Sequence, residues 1–116
     1  MIFHIADPDQ WAAASQTQPY KPEHFDREGF IHCSDATQVA GTLHKHYQMA
    51  DRLLLLAIDS EAEKDHLKYE DFYRRGQQFP HIYRPLPVSS VRGTHLMERN
   101  NRGQFEIPHE WMKSFK

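Results

Sequence analysis

Three histidines lie in segments whose other side chains are large and apolar. Gly29-Phe30-Ile31-His32-Cys33-Ser34 and Phe79-Pro80-His81-Ile82-Tyr83-Arg84-Pro85-Leu86 each carry one imidazole, and Met1-Ile2-Phe3-His4-Ile5 carries another. A buried imidazole must find hydrogen-bond partners or lose stability. Burial also favours the neutral ring over the cation, whose reference pKa is about 6.5. If His4, His32 and His81 converge, they make a pocket of neutral donors and acceptors suited to a polar ligand. The alternative is three unrelated core histidines, each bound to a backbone carbonyl.

Other side chains extend this set. Ser34 shares the strand face of His32 and reads as a ligand hydrogen-bonding group or a helix cap. Tyr83 is the polar partner beside His81 in its apolar and aromatic segment. Glu70, in Tyr69-Glu70-Asp71, ends a candidate strand, where a carboxylate can orient a ribose hydroxyl or act as a base. Arg27, Arg74, Arg75 and Arg84 offer bidentate phosphate contacts, Arg84 being best placed because it follows His81-Ile82-Tyr83. Cys33 points away from His32 on a strand, so His32 cannot easily activate it, and a core role is expected. Three histidines with an open fourth position would suit zinc. No spacing such as HExxH occurs, however, and His44-Lys45-His46 places its two rings on different helix faces, so no metal is expected.

These groups need elements to hold them. Ile2 to Ile5 reads as a strand, followed by a helix capped by Asp7 with Pro8 in its first turn. That helix should carry Trp11 and Ala12-Ala13-Ala14 inward and fade near Gln16. Thr17 to Glu28 forms a long polar connection of a kind that often serves function. Phe30 to Cys33 is a strand, and Ser34 or Asp35 then caps a helix in which Val39, Leu43 and Tyr47 recur at helical spacing. Leu53 to Ile58 suits a central strand. His66 to Phe72 and His81 to Tyr83 give shorter strands, while Val88 to Met97 and Gly103 to Ile107 give weaker signals around an Asn100–Gly103 turn. Pro108 starts a terminal helix. Helices early and strands late favour an α+β class over alternating βαβ units.

A chain of 116 residues suits one domain. Its net charge of −2 gives no basic footprint for bulk nucleic-acid binding or for an anionic membrane. The single cysteine allows no internal disulfide. The opening residues lack a signal peptide's basic and apolar regions, and the longest apolar run is too short to span a bilayer, so a cytoplasmic location is expected.

The segments Ile2-Phe3-His4-Ile5, GFIHCS at 29–34, Leu53 to Asp59 and FPHIYRPLP at 79–87 together resemble the bacterial family labelled domain of unknown function 952, over essentially the whole chain. That family's fold is similar to the ADP-ribosyltransferases, which bind NAD in a cleft. The resemblance implies a single domain, residues 1–116, with two small antiparallel sheets forming a cleft, flanked by short helices. It implies that His4 bonds the nicotinamide-side ribose and that His32 flanks the nicotinamide, with Ser34 close by. It leaves Glu70 as the candidate third-motif carboxylate and His81 and Tyr83 as the family's own signature. Arg84 stands where the family tends to have glycine.

The expected function is a transferase or hydrolase acting on NAD, as substrate, or on an ADP-ribose-like nucleotide. Its catalytic groups would be His4, His32, Glu70 and His81, and its binding groups Ser34, Tyr83 and Arg84. The alternatives are a non-catalytic module binding a nucleotide or small anion, and a histidine-ligated metal hydrolase.

Overall fold

Leu53-Leu54-Leu55-Leu56-Ala57-Ile58 is apolar on both faces, and such a strand is stable only when covered from both sides. In the computed structural model, which describes residues 1–47, 49–72 and 74–115, it is the centre of the larger sheet. Strand β3 (Arg52–Ile58) pairs antiparallel with β1 (Ile2–Ala6) on one side and β6 (Val91–Glu98) on the other. The smaller sheet has the order β2 (Ile31–His32), β5 (Phe79–Ile82), β4 (Leu67–Glu70), again antiparallel. Among the described residues, both sheets are three-stranded. The helices are short: α1 (Pro8–Ala12), α2 (Phe25–Glu28), α3 (Val39–His46) and α4 (His109–Lys113). A radius of gyration of 13.6 Å is that of one α+β domain of this length, about 13 Å.

Strand periodicity splits the core in two. Ile2, Ala6, Leu56 and Ile58 face the smaller sheet and pack against its Ile31 and Ile82, with Tyr20, Cys33 and Leu86. Phe3, Ile5, Leu53, Leu55 and Ala57 face the opposite way, against Val39 and Leu43 of α3 and Met112 of α4. The space between the sheets is therefore filled. Gly93 of β6 admits the last turn closely, since a Cβ there would stand 2.6 Å from the Phe115 ring.

Several local expectations change. Asp7 caps α1, its Oδ1 accepting from the backbone N–H of Asp9 and Gln10, but the helix stops at Ala12. Ser15 and Gln18 exchange backbone hydrogen bonds in a turn that ends it, leaving Ala12 and Ala13 exposed while Trp11 and Ala14 touch the core. The long connection contains α2, closed by Gly29 in the left-handed region (φ 83°). Neither Ser34 nor Asp35 caps α3, which starts only at Val39 after a turn in which the Gln38 side chain accepts from the Asp35 N–H. Gly103 to Ile107 is not a strand; Phe105 alone bridges to Arg99. The splay expected of His44 and His46 depends on the His46 side chain, which lies outside the described residues. Among the described residues, no helix is long and apolar enough to cross a membrane.

Candidate functional site

Strand register decides which chemistry-bearing side chains meet. In the smaller sheet His32 pairs with His81, His81 with Lys68, and Phe79 with Glu70. All five therefore leave the sheet on one face, opposite Ile31, Ile82 and Leu67. Over that face lies a cleft of about 680 Å³, lined also by Gln38, Thr42 and Lys45 of the α3 region and by Phe72, Arg75 and Gln77. A cleft between the two sheets was expected. It lies instead on the outer face of the smaller one, because the core occupies the intersheet space.

At its floor is a carboxylate with its partners. Glu70 Oε1 accepts from Tyr83 Oη at 2.5 Å and from His81 Nδ1 at 2.9 Å. Burial pushes the Glu70 pKa up, but these two donors outweigh it and hold the group below the ordinary carboxylate range, so it is an anion at pH 7. His81 is shifted down, chiefly by burial and secondly by the nearby His32, against the pull of Glu70; its ring is neutral at pH 7. A neutral ring that donates from Nδ1 keeps Nε2 as its basic atom. Burial and the Glu70 carboxylate push Tyr83 up to about 12, so it remains a phenol donor.

Aromatic rings surround this group. Phe72 lies parallel to His81 (6° between planes, centroids 5.1 Å apart), and Phe30 packs within 5.3 Å of His32, His81 and Tyr83. Phe30 is buried, whereas Phe72 is 54% exposed. The His32 ring stands edge-on to His81 at 5.4 Å, with its Nε2 3.0 Å from Glu28 Oε2.

Four of the seven expected site residues thus meet: His32, Glu70, His81 and Tyr83. The other three do not face the cleft. His4 shares a strand face with Ile2 and Ala6, which aims it between the sheets. It is 2% exposed, donates from Nδ1 to the His32 carbonyl at 2.5 Å and accepts at Nε2 from Tyr20 Oη at 2.8 Å. Ser34 leaves the smaller sheet, because its backbone exchanges both hydrogen bonds with Phe3 of β1, and its buried Oγ meets Thr42 Oγ1 at 3.0 Å. Arg84 turns away into a bidentate pair with Glu63 (2.9 and 2.7 Å), whose carboxylate is fully buried and also accepts from Ser90 Oγ. Cys33 is a core thiol as expected, pushed well up by burial.

Sequence reasoning passed over Phe72 and the pair His24 and Glu28. An aromatic beside a Gly-containing break carries little signal. The spacing His24-x3-Glu28-x3-His32 was visible, but it is the Gly29 turn that folds it back on itself. The His24, Glu28 and His32 ligand atoms all lie within 4.8 Å of one another.

Comparison with known proteins adds a family and a fold. The family model described as "Protein of unknown function (DUF952)" matches residues 5–94. The crystal structure of protein CC0527 from Caulobacter crescentus is similar, with a TM-score of 0.84 at 30% identity over 97% of both chains. The solution NMR structure of the same protein gives 0.73 at 34% identity over 88% of each. No curated protein matches the chain.

Proposed function

The chain belongs to the DUF952 family, and on that footing we propose that its cleft binds NAD or an ADP-ribose-like nucleotide and breaks the glycosidic bond to the base. The observation that carries this reading is the anionic Glu70, fixed through Oε1 by Tyr83 and His81 beside an exposed aromatic ring. Loss of nicotinamide leaves positive charge on the ribosyl ring, and a preorganised carboxylate lowers the energy of that charge as it develops. Both bonds to Glu70 go to one oxygen, leaving Oε2 as the oxygen that meets the ribose. Phe72 supplies a flat surface for a base, a contact worth about 1–3 kcal/mol in other stacking sites. The neutral His81 ring can take the proton of an attacking hydroxyl or water. Lys45 and Arg75 line the cleft and place positive charge there, which favours phosphates. A volume of about 680 Å³ lies within the usual range for small-ligand sites, about 300–1,000 Å³.

His4 takes no part in this scheme as a ribose ligand; it holds the backbone of His32. The choice of NAD rests on the ADP-ribosyltransferase-like fold that the sequence resemblance implies, an argument by analogy.

The test is release of nicotinamide from NAD, followed by chromatography with water and with small hydroxyl compounds as acceptors. Wild type should release it, and Glu70→Gln should lose at least about a hundredfold in rate, within the range for removing one electrostatic group from an active site, while still binding NAD. A thermal shift with NAD and ADP-ribose but no release would reduce the reading to a nucleotide-binding module. Neither shift nor release would remove it.

A further inference from the structure

We propose that His24, Glu28 and His32 form a binding site for one divalent first-row transition-metal ion of the zinc class at the edge of the cleft. The inference is independent of the NAD reading. Two imidazole nitrogens and a carboxylate are a donor set that such ions take up.

The fold brings the three together by one local device. His24 stands at the N-cap position of α2 and Glu28 is the last residue of that helix. Gly29, at φ 83°, then reverses the chain so that the first strand of the smaller sheet returns His32 alongside both. His32 Nε2 is 3.0 Å from one Glu28 oxygen, and His24 Nε2 is 3.9 Å from the other. Donors bound at 2.0–2.1 Å around a tetrahedral ion stand about 3.3 Å apart. Small side-chain rotations suffice to reach that spacing, and Glu28, about a third exposed (32%), has room to make them.

A second observation points to a ligand. Among the described residues, His24 Nε2 is buried and has no hydrogen-bond partner, although its ring as a whole is 26% exposed. A distance of 3.9 Å to Glu28 is not a hydrogen bond, and an orphaned buried polar atom calls for an explanation. A simple ion pair between Glu28 and His32 leaves that nitrogen orphaned. A shared ion satisfies it, and also offsets the carboxylate charge between two rings. Because Glu28 and His32 line the cleft, an ion held here would border whatever binds there.

The test is titration of EDTA-treated, desalted full-length protein with Zn²⁺ by calorimetry, and with Co²⁺ followed by visible absorption. Wild type should bind about one ion per chain and give the intense d–d bands of a low-coordinate cobalt site. His24→Ala and Glu28→Gln should each weaken binding by at least about tenfold (~1.4 kcal/mol), while His109→Ala, at an exposed histidine remote from the cluster, should bind as wild type does. If His24→Ala does not fold by circular dichroism, Glu28→Gln decides. Absence of saturable binding at micromolar ion, or unchanged affinity in a folded His24→Ala or Glu28→Gln protein, would overturn the site.

Discussion

His4 shows how a histidine can matter to a cleft that it does not line. Its two nitrogens are fully used: Nδ1 on the His32 carbonyl, and Nε2 on the Tyr20 hydroxyl. The carbonyl can only accept, so Nδ1 carries a hydrogen, and in the neutral ring Nε2 is the acceptor for Tyr20. Burial is the main cause lowering its pKa to about 4, against the carbonyl bond, which raises it. Between that value and about 6.5 the unfolded chain binds a proton that the folded protein refuses, so stability is fully present above pH 6.5 and lost as pH falls through this window. The expected loss from this group between pH 7.5 and pH 5 is about 2 kcal/mol, measured by urea unfolding. A His4→Gln variant should lack that part of the pH dependence. Identical pH profiles for the two proteins would sink the assignment.

At the scale of elements, Arg84 links segments far apart in sequence. It follows β5, and its partner Glu63 lies in the connection between β3 and β4, with Ser90 before β6 as the third member. Arg84→Ala leaves a fully buried carboxylate without its cation. The expected cost is about 3 kcal/mol, the low end for breaking a buried pair, because Arg84 itself is 34% exposed. Unfolding by urea measures it, and binding of NAD at folding temperatures should change little, since the pair lies away from the cleft. Direct phosphate recognition by Arg84 would instead show as a large loss of affinity.

The same contrast marks what could be read from the chain. Apolar runs and local turn chemistry were legible: the central β3, the helical spacing of Val39 and Leu43, the Asp7 cap, and the Asn100–Gly103 turn, closed by the bond from Gly103 N–H to the Asn100 carbonyl. The placement of Ser34 was not legible because periodicity fails where a strand ends: β2 stops at His32, and the chain crosses to the edge of the other sheet. The placement of His4 and Arg84 was not legible, because their partners, Tyr20 and Glu63, are chosen by tertiary packing, which no local pattern reports.

For the whole molecule, two cores on either side of one sheet leave the outer face of the smaller sheet as the place where polar side chains gather. A ligand bound there stabilises the fold by mass action. At a hundredfold excess over its Kd the gain is about 2.7 kcal/mol, which corresponds to a rise in Tm on the order of 10 °C for a domain of this size. Phe72→Ala should reduce the rise seen with a base-containing nucleotide, by raising Kd about tenfold or more, with the unliganded Tm nearly unchanged because Phe72 is half exposed. Equal rises in both proteins would mean that the base does not rest on that ring.

The His32 backbone is held by its pairing with His81 and by the imidazole of the opposite sheet on its carbonyl, while its ring is left to face the cleft. The scaffold and the chemistry at this position are therefore uncoupled: substitutions at residue 32 can retune what the cleft recognises without shifting the strand beneath it. Damage to Tyr20 or His4, by contrast, would misalign the cleft from within. A lineage carrying this fold is thus free to exchange ligands while inheriting one frame.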